Sequence, residues 1–122
     1  MVRAMSIPEV RPLTDQERRL LEWLLQHGTP QAADYLHQLP RVSVVSRCGC
    51  GCPTIDLAVG GYAASPGSAT TILADGFGVS PEGVHCGIIL HGREGLISEL
   101  EVYPNEWERR AFSLPHIENI EL

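Results

Sequence analysis

The sequence predicts an α+β fold in which two N-terminal helices pack on one face of a four- to five-stranded antiparallel sheet. Three observations carry that expectation. Helical periodicity is confined to residues 13–40. From residue 41 onward, β-branched residues alternate between turn signals at short intervals. The last two of these segments, 84–91 and 96–103, read as a hairpin. The 122 residues suit one domain over 13–122, after a loose lead of residues 1–12 that carries Pro8 and Pro12.

The first helix has both ends marked in "LTDQERRLLEWLLQHG". Thr14 and Glu17 have the spacing of a capping box, and Asp15 suits the positive end of the helix dipole. Leu20, Leu21, Leu24 and Leu25 form the apolar stripe, with Trp23 on its border. Gly28 is expected to close the helix in the left-handed conformation, with His27 in the last turn. A second, shorter helix follows, with Thr29 as N-cap and Pro30 in the first turn, where its missing N–H costs nothing. Ala32, Tyr35, Leu36 and Leu39 would share its buried face, and Pro40 would end it.

Strands are expected near 42–47, 54–59, 70–75, 84–91 and 96–103. "HGREGL" fits a type I turn with Gly95 as the left-handed bulge residue. Val84, Cys86, Ile88 and Leu90 alternate onto one face, answered by Leu96, Leu100 and Val102. His85, Ile89, His91, Glu99, Glu101 and Tyr103 fall on the other, mostly polar face, so the sheet should be covered on one side only. The Gly-, Pro- and Ser-rich stretches 60–69 and 76–83 are expected to be mobile loops.

Composition removes several function classes. All nine basic residues are Arg, which excludes a P-loop lysine, a Schiff-base lysine and a Ser-Lys pair. The formal charge of −6 and the crowding of Glu94, Glu99, Glu101, Glu106, Glu108, Glu118 and Glu121 in the last third argue against nucleic acid. No apolar run is long enough to span a bilayer, and the first residues lack a secretory core, so a cytoplasmic location is expected.

The chemical feature is "RCGCGCP", residues 47–53. Three thiols on alternate positions of a straight strand would stand roughly 6.6 Å apart at each step. Sulfurs sharing a zinc ion lie only ~3.8 Å from one another. The chain must therefore bend here, which Gly49 and Gly51 permit, and Pro53 ends any regular ladder. Cys48, Cys50 and Cys52 are thus candidate ligands of zinc or another soft metal, with Cys86 to complete a four-thiolate set and His85 or His91 as rivals for that place. Three other readings stand beside the metal. A Cys48–Cys50 disulfide would close a strained ring. A redox thiol would have only Arg47 nearby to lower its pKa. Cysteine can also serve simply as a small apolar residue in a crowded turn.

Other candidates are weaker. Asp56 should emerge on the polar face near Glu99 and Glu101, where solvated acids are the rule. Glu99 and Glu101, or an aromatic and basic patch of Trp107, Arg109 and Arg110, could dock another protein chain. Trp107 and Phe112 more simply fold the tail back over the domain. Nothing matches G-x-S-x-G or H-E-x-x-H.

Taken together, "RPLTDQERRLLEWLL", "RCGCGCPTIDLAV" and "GREGLISELEVY" with its "LP" tail resemble a group of small bacterial proteins with an R-C-x-C-G-C-P-[ST]-I-D motif. The resemblance covers Arg11 to Leu122. It is most specific at Cys48, Cys50, Gly51, Cys52, Pro53 and Asp56, and it leaves Cys86 outside the pattern. The group brings no established activity. By fold-level analogy alone, the expected function is a non-catalytic protein-binding module of the immunity or accessory type, with a thiolate metal protein as the alternative and a thiol-redox protein as a weaker one.

Overall fold

Thr14 and Glu17 form the reciprocal box that their spacing predicts. The Thr14 hydroxyl accepts from the Glu17 amide at 3.1 Å, and the Glu17 carboxylate accepts from the Thr14 amide at 2.8 Å. They open helix α1, Asp15–His27, in a computed structural model that describes residues 6–105 and 110–122. Thr14→Ala should cost about 1 kcal/mol of stability, read from the urea midpoint at unchanged slope. Leu20, Leu21, Leu24 and Leu25 are all buried, as the helical stripe requires.

The helix does not end as expected. Gly28 has φ −82°, outside the left-handed region. It is glycine because the chain passes hard against its neighbours: a Cβ there would collide with the backbone oxygens of Leu73 and Leu24. Thr29 is not a cap either: the helix that follows has Gln31 at its N-cap. Among the described residues the buried Thr29 hydroxyl finds no partner, while its amide donates to the Leu73 carbonyl at 2.9 Å. The second helix is a 3-10 helix, Ala32–Arg41, which contains Pro40 instead of stopping before it. Its buried Gln38 grips the later hairpin, donating to the Gly95 carbonyl at 2.8 Å and accepting from the Ile97 amide at 2.9 Å.

Among the described residues seven strands form one antiparallel sheet, more than the four or five expected: β1 Ser6–Pro12, β2 Val42–Cys48, β3 Ile55–Val59, β4 Thr70–Val79, β5 His85–Arg93, β6 Leu96–Pro104 and β7 Ile120–Glu121. Their order is β1-β2-β3-β6-β5-β4-β7. Residues 6–12 are therefore an edge strand paired with β2, not a loose lead. The stretch from residue 76 is strand as far as Val79, not loop. Its glycines answer a close approach: a Cβ on Gly78 would stand 3.1 Å from the Pro115 ring and 3.2 Å from the Asn119 carbonyl oxygen. The loop 60–69 is tied down as well. The Glu94 carboxylate accepts from the Tyr62 hydroxyl at 3.1 Å and from the Ser65 amide, while Arg93 donates to the carbonyls of Pro66 and Ser68.

The β5–β6 hairpin turns on Glu94 and Gly95, with φ 54° and 75°. Two left-handed residues in a two-residue loop make a type I′ turn, not the type I turn with a bulge expected from the letters. The irregularity lies further in, between His91 and Gly92, and it brings Ile97 rather than Leu96 into the core. Cys86, Ile88, Leu90, Leu100 and Val102 are buried as their alternation predicts. They share one hydrophobic core with the four leucines of α1 and with Leu39 of the 3-10 helix. On the outer face the paired rows are Asp75–Ile89–Glu101 and Phe77–Gly87–Tyr103. No helix among the described residues is long and apolar enough to cross a membrane.

Candidate metal centre

The bend demanded by the thiol spacing is the connection between β2 and β3. The Cys48 amide donates to the Thr54 carbonyl at 3.1 Å, closing the loop, and Gly51 inside it has φ 95°. Two further amides turn inward. Cys50 N–H points at Cys48 Sγ and Cys52 N–H at Cys50 Sγ, each at 3.4 Å. The sulfurs are gathered as a result: Cys48 to Cys50 is 2.7 Å, Cys50 to Cys52 is 2.9 Å, and all three lie within 4.8 Å of one another. All are free thiols. To share a zinc ion they must spread to ~3.8 Å edges, a motion of about 1 Å that a glycine-flanked loop accommodates.

The loop is held from two sides. The buried Thr54 hydroxyl donates to the Val102 carbonyl at 3.0 Å and accepts from the Val102 amide at 2.8 Å, pinning the loop exit to β6. The C-terminal segment crosses the other side, where the Phe112 amide donates to the Gly51 carbonyl at 3.2 Å. Ala111 lies so close that a Cβ on Gly51 would meet it at 3.2 Å. Phe112 and Leu114 anchor this strap in the core. Glu82 anchors it outside, accepting from the Ser113 amide at 3.0 Å and hydroxyl at 2.7 Å; these bonds pull its carboxyl down to about 2.

The three thiols differ in setting. Cys48 is buried, Cys52 half-buried and Cys50 exposed. Burial, then the contact with Cys50, pushes the Cys48 thiol up to about 12. At Cys50 burial acts upward too, but the contacts with Cys48 and Cys52 and the Cys52 amide outweigh it, and its pKa is lowered. Cys50 is thus the thiol most readily ionised of the pair, and the one that can meet an ion first.

Cys86 does not join them. It is fully buried on β5, its Sγ 3.6 Å from the Gly78 carbonyl oxygen, and burial pushes its thiol up to about 11. Neither rival histidine joins them: His85 is exposed on β5, and His91 Nε2 sits 2.8 Å from Glu101 Oε1. Among the described residues the ligand group has three members. Asp56 and Glu99 face each other across β3 and β6, with the Ser46 hydroxyl donating to Asp56. Trp107 and Arg109 lie outside the described residues, and Arg110 is exposed.

Beside the thiols lies a crevice of about 250 Å³ that the sequence did not announce. Cys48 and Cys52 line it together with Glu9 of β1, Arg11, Glu17 of α1 and Arg47 of β2. Arg11 makes a two-pronged ion pair with Glu17, at 2.8 and 2.9 Å, and its Nε reaches Glu9 at 2.8 Å. Arg47 meets the other Glu9 oxygen at 3.0 Å. The only sequence signal for this network was the period-2 placing of Ile7, Glu9 and Arg11. It mixes apolar and charged residues, so it does not read as a strand.

Burial alone would raise the Glu17 pKa, but Arg11 and the Thr14 amide outweigh it and hold it below 4.5. Its contribution to stability is therefore present above the unfolded carboxylate value and is lost as pH falls through the lower folded value. Urea midpoints taken between about pH 6 and pH 3 should fall less steeply for Glu17→Gln than for the parent chain.

No protein-family model matches the chain, and neither a curated protein nor a solved structure matches it.

Proposed function

We propose that the chain is a thiolate metal-binding protein whose Cys48, Cys50 and Cys52 hold zinc or another soft ion. The observation that supports this is the gathering of three thiol sulfurs within 4.8 Å on one loop. Two inward-facing amides accompany them, a pattern that favours sulfur in its charged form. Soft thiolate sets select Zn(II), Cu(I) or iron–sulfur chemistry over hard cations. The fold has its own core, so the ion is an occupant of a formed domain rather than the means of folding it. Metal analysis of protein purified under reducing conditions without chelator tests the reading. One equivalent is expected in the parent chain and in Cys86→Ser, and less than a tenth of that in Cys50→Ser. Metal-free parent protein that also fails to take up added zinc would refute it.

A docking face for a basic protein partner is the second reading. Phe77 supports it, standing 61% exposed on the outer face beside Asp75, Glu101 and the half-buried Tyr103. A pull-down from the native cells with Phe77→Ser as control should lose a saturable partner; equal recovery with both would end this reading.

A further inference from the structure

The ligand census around the thiol loop is short. The chain has four cysteines; three are in the loop, and the fourth is sealed in the core with its sulfur at the Gly78 carbonyl. His91 is engaged by Glu101, His27 by the Trp23 carbonyl and His37 by the Asp34 carbonyl. His85 stands exposed on β5 and His116 stands exposed ahead of the 3-10 turn Ile117–Asn119, outside the three-thiol group. Zinc and its analogues take four donors; closed four-residue sets are structural, whereas three protein donors leave one position for an outside ligand. The loop also has somewhere to put such a ligand. Cys48 and Cys52 border the 250 Å³ crevice, so a group entering it approaches the thiols from that side. Two arginines and two carboxylates line it. Arg11 is held by both Glu9 and Glu17, whereas Arg47 meets Glu9 through Nε alone, so its remaining guanidinium N–H groups can meet an anion. The Thr54 hydroxyl, 3.5 Å from Cys52 Sγ, supplies a polar neighbour.

We infer that an ion held by Cys48, Cys50 and Cys52 keeps its fourth position for a small anionic thiol seated in the crevice between the loop, β1 and α1. This rests on the metal reading. The incoming thiol gives its proton to solvent and its sulfur replaces a coordinated water, while its carboxylate lies toward Arg47, the more exposed of the two guanidinium groups, at 45% against 30%. A soft donor matches the three already present, and the Arg47 guanidinium favours an anionic thiol over a neutral one.

Cobalt(II) replaces zinc with a visible ligand-field spectrum, and the full-length chain loaded with it is the test. Titration with mercaptoacetate should shift that spectrum and saturate at one equivalent per cobalt, with 2-mercaptoethanol binding about tenfold more weakly. Arg47→Gln should erase most of that tenfold preference while leaving the mercaptoethanol response in place. Cobalt that stays bound with an unchanged spectrum would overturn the inference, because a closed site draws its fourth donor from elsewhere in the chain or from a second copy. Cobalt stripped away by the thiol would overturn it as well. No cobalt uptake at all would instead be the failure of the metal reading.

Discussion

Cys50→Ser is expected to weaken zinc binding by at least a hundredfold while leaving the fold intact. Structural zinc sites gain about 10–16 kcal/mol from four ligands, or roughly 2.5–4 kcal/mol per ligand, which is on the order of a hundredfold in affinity. Cys50 is the middle sulfur, 2.7 Å from one neighbour and 2.9 Å from the other, so its loss breaks both edges of the set. Binding linked to folding carries the effect into stability. At free zinc a hundred times the dissociation constant, the parent chain should gain about 2.7 kcal/mol, a rise of roughly 10 °C in melting temperature. The serine variant should show little of that rise. Without metal the two proteins should melt within a few degrees of each other, because Cys50 is exposed and contributes nothing to the core. Competition with a chromophoric chelator gives the affinities, and calorimetry with and without zinc gives the shift. Equal affinity in both proteins would remove Cys50 from the site.

Gly28→Ala should cost about 3 kcal/mol or more, a fall in melting temperature of roughly 10 °C or more. The added methyl would press on the carbonyl oxygens of Leu73 and Leu24 and stand 3.1 Å from Ala74 Cβ. Two of those neighbours are backbone, so no rotamer change relieves the crowding. Relief requires α1 to move off β4, which disturbs the seating of Leu24 and Leu25 in the core. Had Gly28 been a left-handed helix cap, the cost would be a conformational one of about 1 kcal/mol, tolerated well by Asn. Gly28→Asn therefore separates the two accounts. The close approach makes Asn at least as damaging as Ala, whereas a cap would make it milder.

The letters were informative wherever a local rule decides the outcome. The capping box needs only Thr14 and Glu17 three residues apart, and the leucine stripe needs only its period. The strand cores of β5 and β6 followed from alternation except at Leu96, whose place Ile97 takes beyond the irregularity. The bend at Cys48–Cys52 followed from glycine, proline and sulfur spacing, and three of the four named thiols meet there. Where local rules failed, a distant partner had taken over. Residues 6–12 carry two prolines and no clean apolar period, yet they form a strand because β2 offers an edge and because Arg11 finds Glu17 on α1. Gly76 and Gly78 look like loop glycines but make room for the returning C-terminus. Cys86 is chemically able to be a ligand and is kept from that role by the strand face it occupies.

The sequence by itself determined an α+β chain with α1, the alternating β5 and β6 and a thiol-bearing loop, since each depends on residues within a few positions of one another. Tertiary structure alone decided that Thr54, Gly51 and Phe112 would clamp that loop, and that Glu9, Arg11, Glu17 and Arg47 would meet beside it. Those choices join residues tens of positions apart, where the free energy comes from burial and paired charge that no local pattern records.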